Sequence, residues 1–134
     1  MPLIRIDLVE GRSEDQITAI GDTLQKTLVE VYGLPERDRF QIITEHPANR
    51  INALDVGLGI ERSEHVVIIQ IFTQAGRSVD EKQAFFKALA DGLETVGVAG
   101  SDLVIGFVEN TANDWSFGYG RAQYVTGELA KPGS

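Results

Sequence analysis

The chain has 134 residues, with 12 basic against 20 acidic side chains and a formal net charge of −8. That length suits one domain with its own core, and that charge makes phosphate backbones and anionic lipid surfaces poor partners. No cysteine occurs, which excludes disulfides, thiolate nucleophiles and cysteine-ligated metals.

Met1 to Glu10 reaches acidic residues at once and lacks the basic start and apolar run of a signal peptide. No stretch is apolar enough to span a bilayer, so a cytoplasmic protein is expected. Leu3 to Leu8 alternates as a strand does. Gly11-Arg12-Ser13 then leads into a helix, where Ser13 and Gln16 form a capping-box pattern. Ile17, Ile20, Leu24, Leu28 and Val31 recur at helical spacing, and Gly33 followed by Pro35 supplies the stop. Phe40 to Thr44 reads as the next strand. Pro47 to His65 is a connection, with a short strand expected around Ile51 to Leu54.

The same order returns in the second half. Val66 to Phe72 is a strand, and Gly76-Arg77-Ser78 with Glu81 makes a second capping box. The helix that follows carries Phe85, Phe86, Leu89, Leu93 and Val96, ends at Gly97, and leads to a strand from Leu103 to Val108. Ser13 and Ser78 are 65 residues apart, while Gly33 and Gly97, Asp38 and Asp102, and Glu45 and Glu109 are each 64 apart. A duplicated β-α-β unit explains those offsets. Right-handed crossovers make the strands of each unit parallel, and two units join into one four-stranded sheet with both helices on one face. The expected fold is therefore α/β.

A single domain over 1–134 is expected, divided into a first repeat (1–46), the connection (47–65), a second repeat (66–110) and a tail (111–134). The strand from Val66 to Phe72 is almost continuously apolar and calls for cover on both faces, whereas the helices supply one. A symmetric homo-oligomer meets that need. In the tail, Trp115-Ser116-Phe117-Gly118-Tyr119-Gly120 followed by Ala122 to Val125 predicts a short hairpin.

Pro2 is the sharpest chemical feature. A small residue behind the initiator methionine permits methionine removal, and the exposed proline nitrogen would be a secondary amine. Such an amine acts as a base when neutral, as a donor when charged, or as a nucleophile forming an iminium with an aldehyde. Arg77 precedes the expected N-cap Ser78, where free N–H groups and the helix dipole favour an anion. Arg12 holds the matching place before Ser13, so turn-and-cap chemistry used twice also accounts for both arginines. Asp38 likewise has a repeat partner in Asp102, and an aspartate ahead of a strand is commonly a loop residue making local hydrogen bonds. Trp115 and Phe117 read as tail anchors or as pocket wall. His46 and His65 match neither a metal site nor a triad.

Pro-Leu-Ile opening a strand, two β-α-β units of this length, Leu34-Pro35-Glu36-Arg37-Asp38-Arg39-Phe40, Asp114-Trp115-Ser116-Phe117-Gly118 and Gly120-Arg121-Ala122-Gln123 together resemble the malonate semialdehyde decarboxylase branch of the tautomerase superfamily. The resemblance spans almost the whole chain. It implies a homotrimer, no metal, no cofactor and a small 3-oxo acid substrate. It places Pro2, Asp38 and Arg77 as catalytic residues, and Gln74, Arg77, Trp115 and Phe117 around the substrate. Well-known members carry an Arg-Pro-Arg run after the third strand, where this chain has Gln74-Ala75-Gly76-Arg77 and so a single, displaced arginine. The implied reaction is decarboxylation of malonate semialdehyde to acetaldehyde and carbon dioxide, with a side hydratase activity. Tautomerisation or hydration of another short oxo acid by a neutral Pro2 is the second enzymatic reading, and a catalytically silent oligomeric interaction protein is the alternative of a different class.

Overall fold

The computed structural model describes residues 1–131, so the last three residues of the tail, 132–134, lie outside the described part. The elements run β1 (Leu3–Val9), α1 (Glu14–Tyr32), β2 (Phe40–His46), β3 (Val67–Gln74), α2 (Val79–Glu94), β4 (Leu103–Asn110) and a single-turn α3 (Gln123–Thr126). Both β-α-β units are present. β1 pairs parallel with β2 and β3 parallel with β4, and the units meet through an antiparallel β1–β3 pair, giving the order β2-β1-β3-β4.

The helix starts follow the sequence signals. Ser13 and Ser78 each accept from the backbone N–H three residues on, and Gln16 and Glu81 return a bond to the cap. α1 stops at Gly33, which sits at φ 68, a left-handed conformation that costs a glycine little. α2 ends earlier than expected. Its last residue is Glu94, and Val96 and Gly97 donate to Leu93 and Glu94 in tighter turns before Gly97 redirects the chain at φ 92.

One core forms between the sheet and both helices. Ile4, Ile6 and Leu8 of β1 alternate with outward residues, as do Val67, Ile69 and Ile71 of β3, and they meet Ile20, Leu24 and Leu28 of α1 and Phe85, Leu89 and Leu93 of α2. Phe85 is fully buried, stacked on Tyr32 at 5.0 Å and tilted against Phe107 at 5.7 Å. The opposite sheet face is uncovered. Leu3, Phe40, Ile42, Ile68, Phe72 and Val108 share it by register, and Phe40, Ile42 and Val108 are 41%, 47% and 43% exposed.

Two expectations fail. No strand forms around Ile51 to Leu54, because side chains hold the connection instead: Arg62 donates to the carbonyls of Leu54 and Ser101, and Asp55 accepts from the N–H groups of Gly57 and Gly59. The tail hairpin is also absent. A capped turn at Ala112–Asp114 opens the tail, Tyr119 and Gly120 take φ values of 58 and 66, and the segment expected as a second strand closes into α3. Consecutive left-handed residues cannot continue a ladder.

The connection is anchored at one buried side chain. Asp102 is 4% exposed and accepts from both the N–H and the hydroxyl of Ser63, at 2.7 and 2.6 Å. Removing its carboxylate strands both donors. Asp102→Ala is therefore expected to lower stability by about 2 kcal/mol, read as a shifted urea midpoint; an unchanged midpoint would show that the anchor carries no weight.

Candidate active site

Strand register assembles the site. The antiparallel pairing sets Leu3 opposite Phe72, so the front of β1 lies beside the end of β3, from which Gln74 to Arg77 lead into α2. The parallel pairing sets Leu3 opposite Phe40, which carries Asp38 to the level of Met1. The Met1 amine accordingly stands 3.8 Å from an Asp38 carboxylate oxygen. Both Met1 and Pro2 are buried.

Two cavities open here. One, of about 290 Å³, is lined by Pro2, Gln74, Arg77, Glu81, Tyr32 and Phe107 among others. The second, of about 630 Å³, is lined by Asp38, Phe40, Phe117, Gln123, Tyr124 and Leu129 among others. Met1, Tyr32, Leu34 and Arg77 border both. Met1 is 5% exposed, so the volume it fills lies between the two spaces.

Arg77 is held on three sides. Its guanidinium lies 4.2 Å from the centre of the Tyr32 ring, donates to the Tyr32 carbonyl at 3.2 Å and pairs with Glu81 at 3.2 Å. Its repeat counterpart does something else. Arg12 donates to the carbonyl of His65 and faces the charge of Asp102, and so tacks the connection down. The two Gly-Arg-Ser turns share their caps and differ in what the arginine reaches.

Gln74 Nε2 and the Tyr32 hydroxyl are buried without hydrogen-bond partners, in the walls of the smaller cavity. Buried donors are rarely left unpaired, and a polar ligand would satisfy them. Charge is also perturbed here. Burial lowers the pKa of the amine that begins the chain, Arg77 adds to the effect and Asp38 opposes it. Burial raises the Asp38 pKa against the pull of that amine, and burial together with the Asp38 charge raises that of Tyr124.

The tail supplies an aromatic wall. Trp115 stacks on Phe117 at 6.0 Å and 11°, Phe117 meets Tyr124 edge-on at 5.2 Å, and Phe40 lies 6.1 Å from Phe117. The Trp115 indole N–H donates to Asn110 at 2.8 Å. Phe117 borders the larger cavity, whereas Trp115 borders neither cavity and backs Phe117. Pro2, Gln74 and Arg77 are thus brought into one cavity, with Asp38 and Phe117 across Met1 in the other. The sequence does not mark Tyr32, Glu81, Gln123 and Tyr124 as cavity residues. Tyr32 sits on the helical stripe only one residue beyond Val31, and Glu81 is spent on its cap, so neither carries a local signal.

His46 bonds Asp7 at 2.7 Å on the open sheet face, away from these cavities. Among the described residues no group of three or more histidine, cysteine, aspartate or glutamate side chains is arranged to hold a metal ion. No helix among them is long and apolar enough to cross a membrane.

Gln123 holds the aromatic wall in place, accepting from the Phe117 N–H at 2.9 Å and donating to the Gly118 carbonyl at 3.0 Å. Gln123→Ala removes both bonds. Because Trp115 is the sole tryptophan, its fluorescence and near-ultraviolet dichroism are expected to change while far-ultraviolet dichroism stays the same; unaltered tryptophan signals would show that the wall stands without Gln123.

Two family profiles, each described as tautomerase enzyme, match residues 38–118 and 2–60. A Bacillus subtilis (strain 168) protein named probable tautomerase YrdN is 42% identical over 96% of this chain and 100% of its own. Probable tautomerase YusQ of the same organism is 30% identical over 93% and 99%. Among solved structures, a malonate semialdehyde decarboxylase inhibited by 3-bromopropiolate superposes with a TM-score of 0.95 at 56% identity, covering 97% of this chain and 99% of that one. A second malonate semialdehyde decarboxylase, solved in wild-type, mutant and inactivated forms, gives 0.89 at 37% identity over 95% and 98%. By profile, sequence and structure the chain belongs to the tautomerase superfamily, on the side of it that includes malonate semialdehyde decarboxylases.

Proposed function

We propose that this protein decarboxylates malonate semialdehyde, or a closely similar 3-oxo acid, with Pro2 as the reactive group after Met1 is removed. The observation that carries the reading is the meeting of a buried chain start, a ring-stacked Arg77 and an unpaired Gln74 donor in one small cavity. The 56% identity to a malonate semialdehyde decarboxylase supports it. A second malonate semialdehyde decarboxylase, 37% identical to this chain, was solved also as a proline-to-alanine mutant, in a study of decarboxylase and hydratase activities.

Loss of Met1 would free the space between the two cavities and leave the Pro2 nitrogen as a secondary amine. The substrate carboxylate would lie on Arg77 and Gln74, with the aldehyde at Pro2. As the C–C bond breaks, its electron pair moves toward the carbonyl carbon and carbon dioxide departs. By hydrogen bonding, a charged Pro2 stabilises the resulting enolate, whose methylene carbon then gains a proton to give acetaldehyde. By the other route Pro2 first condenses with the aldehyde and expels water, the iminium takes the pair as an enamine, and after protonation at the same carbon a water hydrolyses the iminium to free acetaldehyde and Pro2. Arg77 orients rather than drives. A cation that merely grips the leaving carboxylate would stabilise the ground state, so its use is to turn the breaking bond perpendicular to the carbonyl plane. Phe117, backed by Trp115, keeps water from the neutral product, and Asp38 hydrogen-bonds the amine or positions water for the side hydration.

A second reading has its own support. Both Bacillus subtilis relatives are named probable tautomerases, which suits a neutral Pro2 acting as a base. The pH profile separates the two. Activity that falls as pH rises through the amine pKa marks the cationic role, and activity that rises there marks tautomerisation or hydration by a base.

The purified protein is expected to have an intact mass lower by one methionine and to convert malonate semialdehyde to acetaldehyde, with Arg77→Ala losing roughly a hundredfold in kcat/KM. Retained methionine, or an Arg77→Ala protein as active as the parent on every carboxylated substrate, would remove the proposal. Borohydride reduction during turnover, followed by mass spectrometry, yields an adduct on Pro2 only by the iminium route. We also propose a homotrimer in which the open sheet face is buried; sedimentation at the mass of one chain would exclude it.

A further inference from the structure

The two capping boxes differ at one atom pair. Repeat one closes its box with Gln16 and repeat two with Glu81, and both serve the N-cap in the same way. A neutral amide therefore suffices for the cap, and the negative charge of Glu81 is left over from that task. Its second oxygen pairs with Arg77 Nη1 at 3.2 Å, at the rim of the cavity that holds Pro2 and Gln74. Arg12, in the matching place, has no such partner from Gln16 and goes to the His65 carbonyl instead.

We propose that Glu81 is a positioning residue that sets how strongly Arg77 holds a substrate carboxylate. It does so by occupying one edge of the guanidinium and offsetting part of its charge, while the Tyr32 ring and carbonyl hold the other side. This inference rests on the decarboxylase reading for its catalytic purpose. A carboxylate gripped by a fully available guanidinium lies in a deep ground state, and its loss as neutral carbon dioxide then faces a higher barrier. An attenuated Arg77 still orients the group without deepening that well. The pair is half-exposed, at 33% and 48%, so its effect is modest and sensitive to salt.

Glu81→Gln tests it, since Gln16 shows that the amide keeps the box closed. Malonate, an unreactive carboxylate, is expected to bind the variant about threefold more tightly than the parent at low ionic strength by calorimetry. With malonate semialdehyde both KM and kcat should fall, and Gln16→Glu, which adds the same charge to the other cap, should change neither quantity. Malonate binding that is unchanged or weaker in Glu81→Gln overturns the proposal, as does a kcat that holds or rises while KM falls. The binding measurement stands even if neither protein turns over malonate semialdehyde, so failure of the decarboxylase reading is separable from failure of this one.

Discussion

The antiparallel pairing of β1 with β3 is the constraint on which the site depends. Two β-α-β units side by side could meet in other ways, yet the register Leu3 to Phe72 sets the front of β1 against the end of β3. Everything chemical follows from that adjacency. The chain start faces the turn that feeds α2, and the parallel register of β2 delivers Asp38 from the other side. Ile4 and Ile6 on β1 and Ile69 and Ile71 on β3, all buried under the helices, hold that register by burial, because a one-residue slip would turn each of them outward.

The duplication gives two equivalent corners, and both cavities lie at the one that holds Met1 and Pro2. At the second corner the place of Met1 and Pro2 is taken by His65 and Val66, where the chain runs on from the connection. Arg12 there meets a backbone carbonyl and the charge of Asp102, and Asp102 in turn binds Ser63. The same residue types at the same spacing thus give a structural anchor in one half and a polar cavity wall in the other. What differs is the partner that each arginine reaches.

Much of the architecture was legible because it is local or repeated. The caps at Ser13 and Ser78, the stop at Gly33, the apolar stripes and the 64-residue offsets all announce themselves within a few residues or by self-comparison. The tail was misread for a physical reason: alternating aromatics and glycines look like a hairpin, but the left-handed backbone of Tyr119 and Gly120 is a tertiary choice secured by Gln123 and the packing of Phe117 on Trp115. The connection failed similarly, since its Arg62 and Ser63 bond to Ser101 and Asp102, far along the chain. Pro2, Asp38 and Arg77 were singled out by family resemblance more than by spacing. Tyr32 and Tyr124 were invisible because each reaches the site only through packing.

The Glu81–Arg77 pair also bears on how anions arrive. With a net charge of −8 on each chain and its cavity arginine partly offset, the molecule exerts no long-range pull on a carboxylate; the distant field pushes it away. Attraction begins only within the last few ångströms, where the guanidinium, the Gln74 amide and the Tyr32 hydroxyl are reached directly. Dissolved electrolyte at ~0.1 M confines the distant push to roughly 10 Å and blunts the short-range contacts far less. Encounter with anionic molecules should therefore quicken, not slow, as the medium becomes saltier, the reverse of what electrostatically steered enzymes show.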